Sequence, residues 1–291
     1  MSVANYLKLQ RQFYSELTKT RADAERAVHP RYEEARRSAY IAATYLLREY
    51  RDRTATDLDG VGGDFSAIGE RFAEIPRSLR ILDYGCGVGR VMEPLAENGF
   101  APDGVDISPE MLKYAGESQV LQKAGSKLFS TRGDNCGDAP KDTYDLAFSL
   151  LCLQHICVRS VRMGILRSLR EALNPQGVAI VQMLYFPGVN TAGIPPQHAN
   201  WMDDRTDIGG TNSMHDVWVT QDQLPQVMSD FGMIYKDVRM QIVELNGARI
   251  PCGRGQTYPF HHLFLSGSKT ALYRERMFRP VKEVGKGKQA A

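Results

Sequence analysis

The chain has 291 residues, and its 36 Lys+Arg against 34 Asp+Glu leave a formal net charge of +2. With 43% hydrophobic and 24% charged residues it can bury a sizeable core, and it lacks the basic surplus needed to wrap nucleic acid non-specifically. No apolar run approaches the ~18 residues of a membrane span or follows a signal-peptide pattern, and the cysteines at 86, 136, 152, 157 and 252 form no C-x-x-C pair, which favours a reducing cytoplasm over a disulfide or zinc scaffold.

Residues 1–75 read as an N-terminal helical cap. Pro30 can open a helix, and Tyr32, Ala35, Ala39, Ala43, Leu46, Leu47 and Tyr50 follow at helical spacing. A Gly-rich loop at 57–63 and a short helix at 64–75 complete the cap. From Arg80 strands and helices alternate. Strands are expected at 80–84, 104–107, 128–131, 144–151 and 178–183, and helices at 90–98, 108–123 and 160–173. Ser108-Pro109 supplies a helix N-cap followed by Pro at the first helical position. This rhythm calls for an open parallel sheet with right-handed crossovers. Residues 184–219 break it with Gly, Pro, Asn and Asp, and an irregular stretch of that length inside a domain reads as an inserted lid. Thr220 caps a helix to about Phe231, and strands are expected at 238–245 and 262–266. Residues 271–291 form a basic tail, with six basic and two acidic side chains from Arg274 onward.

The sharpest signal is Asp83-Tyr84-Gly85-Cys86-Gly87-Val88-Gly89-Arg90, set between a strand and a helix. Glycines there let the backbone turn tightly and approach a ligand at the helix N-terminus. Read as the dinucleotide fingerprint G-x-G-x-x-G, the last position would be Arg90, which does not fit. Asp106 ends the next strand, 21 residues after Gly85, where a carboxylate can accept both hydroxyls of a ribose.

Together with GVDISPEML (104–112), Gly133-Asp134-Asn135, DLAFSLLCLQHI (145–156) and LNPQGVAIVQM (173–183), this loop resembles the class I S-adenosylmethionine-dependent methyltransferases over roughly residues 78–270. The resemblance implies an α/β fold: a Rossmann-like, seven-stranded, mainly parallel sheet with helices on both faces, spanning 76–270 and carrying the cap and the 184–219 lid. It implies S-adenosyl-L-methionine as cofactor and S-adenosyl-L-homocysteine as product. By the same resemblance Asp83, Gly85, Gly87 and Gly89 face the methionine moiety, and Asp106 holds the ribose. Ile107, Met111, Asp134 and Asn135 surround the adenine, and Leu150 offers backbone to the methionine amine. Cys86 reads as packing against the cofactor.

Methyl transfer needs a base only when the acceptor loses a proton as it attacks. His155, just past the fourth strand, is the first candidate, because ligands bind at the carboxyl ends of strands in open α/β sheets. The other reading of His155 is a strand or helix cap. His215 is the second candidate. Gln154 either orients an acceptor or covers the loop, and Tyr14, Tyr32 and Tyr40 either line the site or pack. His198 and Trp201 read as packing, and Trp218 as a wall of the site. Asp203, Asp204 and Asp207 read as solvated, with no metal site, and His261 and His262 point to opposite faces of a strand. The fourth-strand end, Ser149-Leu150-Leu151-Cys152, lacks the motifs of nucleobase methylation, so the expected partner is a small-molecule acceptor without nucleic acid or membrane; a homodimer stays open. The expected function is O-methylation of a sugar, phenolic or other secondary metabolite. The alternatives are N-methylation of a small molecule, a non-catalytic partner subunit of the same fold, and a nicotinamide-dependent oxidoreductase.

Overall fold

A computed structural model describes residues 1–18, 32–52, 75–208, 216–245, 247–251 and 256–271. The expected loop at 57–63, most of the helix at 64–75, all but the first residue of the 271–291 tail, and His215 lie outside the described residues.

Two helices come first, α1 (Val3–Glu16) and α2 (Tyr32–Asp52). The Ser2 hydroxyl opens α1 by accepting the Asn5 N–H at 3.3 Å. The strands β1 (Arg80–Tyr84), β2 (Ala101–Asp106), β3 (Leu128–Ser130), β4 (Tyr144–Ser149) and β5 (Leu173–Phe186) follow. Helices α3 (Met92–Glu97), α4 (Pro109–Gly116), α5 (Gln119–Ala124) and α6 (Arg159–Ala172) lie between them. Two short strands, β6 (Ala199–Asn200) and β7 (Val217–Thr220), precede α7 (Leu224–Ile234). The remaining strands are β8 (Lys236–Val243), β9 (Arg249–Pro251), β10 (Thr257–Pro259) and β11 (His261–Ser268).

The main sheet runs in the order β3-β2-β1-β4-β5-β11-β8. Its first five strands are mutually parallel and β11 runs antiparallel between β5 and β8, giving the expected mixed α/β sheet with helices on both faces. One apolar core joins the sheet to α6 and α7 through Val161, Ile165, Leu169, Val227 and Phe231; a second joins it to α2 and α3 through Ala43, Leu46, Leu47 and Leu95.

Three elements depart from the expected pattern. The helix expected over 108–123 breaks at Glu117-Ser118, where the Ser118 hydroxyl donates to Glu93 at 2.7 Å instead of capping the second helix, which starts at Gln119. Strand β5 starts at Leu173 rather than 178, with a register shift against β4 that absorbs Asn174-Pro175-Gln176-Gly177, and it runs on to Phe186. Inside the stretch read as a lid, β7 pairs in parallel with the last residues of β5, Tyr185↔Val219 and Phe186↔Thr220. Beta-4 pairs with β5 only as far as Ser149↔Val181, so β7 joins β5 beyond the end of β4, over the carboxyl edge of the sheet.

Candidate functional site

The glycine loop turns on three residues with left-handed backbone, Gly85 (φ 78), Gly87 (φ 55) and Gly89 (φ 84). Two of them are also sterically required. A Cβ at Gly85 would lie 2.4 Å from Cys152 Sγ, and one at Gly89 would lie 2.6 Å from Leu121 Cδ1. A Cβ at Gly87 would meet nothing nearer than Met111 Sδ at 4.0 Å, so this glycine borders open space. The loop is pinned from both sides: Gly85 N–H donates to the Val105 carbonyl at 2.7 Å, and Gly87 N–H donates to Asp106 Oδ2 at 2.8 Å. Asp106 Oδ1 accepts the Ser108 N–H at 2.8 Å. Burial pushes the Asp106 carboxyl above the usual range, and the Ser108 and Gly87 amides oppose that shift.

Asp83 is 4% exposed and has no hydrogen-bond or ion-pair partner among the described residues. Burial, and then the nearby Asp106 charge, hold its carboxyl well above the usual range. Ile107 and Leu7 of α1 close on Gly133, and Met111 packs with Val88 beneath the loop. Asn135 donates to Asp134 Oδ1 at 2.9 Å while its own oxygen accepts the Gly137 N–H at 2.8 Å, which fixes the turn after β3. Leu150 is half-buried against the α2-side core. Cys86 departs from the sequence reading: it turns away from the loop mouth into a cluster with Met92, Ala115 and Leu121, because Gly104 leaves room for it on that side.

The second half of the site lies past β4. Leu151 is held at φ 54, a strained value for a residue with a side chain, and a short 3-10 turn over Leu153–His155 follows. His155 Nδ1 lies 3.9 Å from Asp216 Oδ2, at the start of β7, and this carboxylate is only 1% exposed. The Tyr14 ring stands edge-on to His155 at 6.5 Å. Burial holds the Tyr14 hydroxyl well above its ordinary pKa, with Cys152, Asp216 and Asp106 adding to the shift. Tyr14 therefore feels both the loop side and the His155 side of the cleft. Tyr6 ties α1 down by accepting the Cys157 N–H at 2.8 Å, and Gln10 donates to the Tyr6 hydroxyl at 3.1 Å. The Cys152 thiol, beneath Gly85, is pushed up to about 12 by burial and by Asp106, so it is no thiolate nucleophile at neutral pH.

Of the remaining candidates, Trp201 and His198 pack, as expected. Trp201 is buried and donates Nε1 to Asp230 at 2.8 Å; His198 stacks on Trp218 at 4.5 Å. Trp218 is itself fully buried against Phe186 rather than presented as a wall. Asp203 and Asp204 are spent on backbone, accepting from Asn200 and Ser160, and Asp207 pairs with Arg205. Tyr40 packs in the α2-side core, and the Tyr32 side chain lies outside the described residues. His262 faces Phe264 while His261 faces Tyr185, on opposite sides of β11. Asp216, Tyr6, Gln10 and Gln182 did not emerge from the sequence. The available signals were faint: a polar Gln182 inside the apolar run Val178–Phe186, and an Asp just ahead of the β-branched and aromatic run Val217-Trp218-Val219-Thr220.

Residues 48–232, well over half of the chain, match a family model described as a methyltransferase domain. The chain belongs to the class I S-adenosylmethionine-dependent methyltransferases. This methyltransferase is 33% identical over 111 residues to the ubiquinone biosynthesis O-methyltransferase of Azorhizobium caulinodans, covering 37% of this chain and 41% of that protein. It is 49% identical over 43 residues to a putative methyltransferase of Bacillus subtilis, covering 15% and 17% of the two chains. The methyltransferase thus spans less than half the length of these curated relatives. A magnesium protoporphyrin IX methyltransferase from Synechocystis, solved with bound S-adenosylhomocysteine, superposes with a TM-score of 0.49 at 18% identity, covering 90% of this chain and 100% of that one.

The cleft of the methyltransferase fits the family's cofactor, S-adenosylmethionine. The Asp83 carboxylate, buried and without a partner among the described residues, suits a ligand that brings a positive charge. The open face at Gly87, between Asp106 and Met111, leaves a space that a Cβ would enter.

Proposed function

We propose that this chain transfers the methyl group of S-adenosylmethionine to a hydroxyl of a small molecule, with His155 taking the proton. The observation that carries the reading is the pairing of His155 with the buried Asp216 at the carboxyl edge of the sheet, across Tyr14 and Cys152 from the glycine loop. Asp83 and the loop glycines hold the methionine end, Asp106 the ribose, and Ile107, Met111, Asp134 and Asn135 the adenine, with Leu150 offering backbone to the amine. Bound there, S-adenosylmethionine supplies a methyl group already activated by its sulfonium charge. The protein then has three tasks: to align the acceptor, to exclude water, and to accept a proton. Helix α1 performs the exclusion, tied by Tyr6 to the Cys157 amide and covering Gly133 with Leu7. His155 performs the proton step, because an alcohol or phenol attacks a methyl group effectively only as its O–H bond weakens.

Three further observations support a small hydroxylated acceptor in a reducing compartment. The charge is near balance, and the curated relative from Azorhizobium is named as an O-methyltransferase. The four described cysteines are free thiols. The test is incubation of the protein with donor carrying a deuterated methyl group and a panel of phenols, sugars and amines, read by mass spectrometry. A labelled ether, formed much more slowly by His155→Gln at unchanged cofactor affinity, is the expected result. Label on nitrogen only would establish the N-methyl alternative. Cofactor binding without turnover on any acceptor would point to a non-catalytic subunit.

A further inference from the structure

Two polar side chains behind His155, Gln182 and Gln154, form a single chain of hydrogen bonds whose direction is set at one end by the backbone. The Leu151 N–H is a donor and cannot be reversed, and it donates to Gln182 Oε1 at 2.8 Å. This places the Gln182 amide nitrogen toward Gln154, where it donates to Oε1 at 3.3 Å. The Gln154 amide nitrogen is left facing His155 Nε2 at 3.5 Å. An amide NH2 only donates, so the ring nitrogen opposite it must present its lone pair, and the ring proton of neutral His155 belongs on Nδ1. Nδ1 is the nitrogen that faces Asp216 Oδ2, at 3.9 Å. Reversing either amide would set N–H against N–H or oxygen against oxygen between Gln154 and Gln182, both only 1% exposed and so shielded from bulk solvent.

We infer that the Leu151–Gln182–Gln154 relay and Asp216 together hold His155 as the Nδ1–H tautomer, with the Nε2 lone pair turned to the acceptor, and that Gln182 and Asp216 are positioning residues for the base. The inference rests on the proposed role of His155. The Gln154 contact sits at the far limit of a hydrogen bond, so an acceptor hydroxyl can take its place on Nε2. Asp216 stabilises the imidazolium that forms when the proton arrives. The other titratable and charged groups around the ring, among the described residues, include Tyr6 and Tyr14 of α1, the Cys152 and Cys157 thiols, and the buried Arg162 of α6, whose guanidinium bonds the Ile156 carbonyl. Burial pushes both tyrosines and both thiols upward, so they are neutral near pH 7, and Asp216 is the carboxylate that faces the ring.

The experiment is nitrogen NMR on protein labelled with ¹⁵N at histidine, with the His155 signals assigned by their loss in His155→Gln. The expected result is a protonated Nδ1 and an unprotonated Nε2 in the neutral ring. Asp216→Asn should lower the His155 pKa by about one unit and move the acid limb of the kcat profile down with it. The same variant should lower the high-pH plateau about tenfold, leave the Kd for S-adenosylhomocysteine within twofold, and be largely rescued as Asp216→Glu. An Nε2–H tautomer in the unmodified protein overturns the inference, and that reading alone decides if Asp216→Asn does not fold. A pKa and pH profile unmoved by Asp216→Asn, or a rate loss that merely follows lost cofactor affinity, also overturns it. A His155→Gln variant that turns over at the full rate would instead sink the base assignment, whatever the tautomer.

Discussion

Asp106→Asn tests how the glycine loop is held and what the carboxylate does for the cofactor. Asp106 accepts two backbone N–H groups at 2.8 Å, from Gly87 and Ser108, one on each oxygen. An amide keeps one acceptor and turns an NH2 toward the other N–H. One charge-assisted bond is therefore lost and a buried donor is orphaned, a cost of roughly 1.5–3 kcal/mol. Stability is partly protected, because the neutral amide also relieves repulsion with the buried Asp83, whose carboxyl is raised in part by Asp106. We therefore expect the melting temperature to fall by no more than about 5 °C, at ~2–4 °C per kcal/mol for a domain of this size. Cofactor affinity has no such relief, since a ribose loses its double acceptor and the loop loses its anchor. It should fall by about ten- to a hundredfold, at ~1.4 kcal/mol per factor of ten. Titration calorimetry with S-adenosylhomocysteine, beside thermal melts of both proteins, measures the two effects separately. An affinity within twofold of the parent, with an intact fold, would refute the assignment of Asp106 to the cofactor.

Three further outcomes follow from named contacts. Gly85→Ala and Gly87→Ala both strain left-handed backbone (φ 78 and 55), but only the Gly85 Cβ also meets Cys152 Sγ, at 2.4 Å. Gly85→Ala should therefore lower the melting temperature more, while Gly87→Ala, whose Cβ enters open space, should also cost cofactor affinity; equal melting losses in the two variants would contradict this. Cys152 is largely buried and its thiol is pushed up to about 12, so at pH 8 on the order of one molecule in ten thousand is thiolate. Peptide mass spectrometry should find its alkylation slow and rising about tenfold per pH unit; rapid labelling at pH 7 would show a lowered pKa instead. His262 is held down at about 4 by burial and by His261, below its ordinary 6.5. Between those values the unfolded chain binds a proton that the folded chain refuses, so stability is full above pH 6.5 and declines as the pH falls toward 4. Melting curves of His262→Phe should show a shallower decline across that window; an unchanged slope would show that His262 does not drive it.

Much of the fold was legible in the sequence because its determinants are local. The limits of β1 match the expected strand, since Ile81, Leu82 and Tyr84 make an apolar run that stops at a glycine. Ser108-Pro109 opens α4 as expected, because a hydroxyl cap and a proline at the first helical turn act within four residues. The glycine loop with Asp83 and Asp106 was legible for the same reason: positive φ and a carboxylate at the end of the next strand are requirements of the backbone itself. Contacts between distant segments decided the rest. Nothing within reach of Asp216 in sequence announces a histidine 61 residues earlier; they meet only because β7 joins β5 beyond the end of β4. Tyr6 and Gln10 read as ordinary faces of a charged helix until α1 packs on the Cys157 amide and the His155 carbonyl. The orientation of Gln182 depends on a peptide N–H past the neighbouring strand, held at an unusual φ. The sequence by itself determined the glycine loop and the carboxylate that pins it, because their geometry is written in φ angles and caps a few residues apart. The surroundings of the proposed base were decided by the tertiary structure alone, because burial and strand register, not local propensity, bring those groups together.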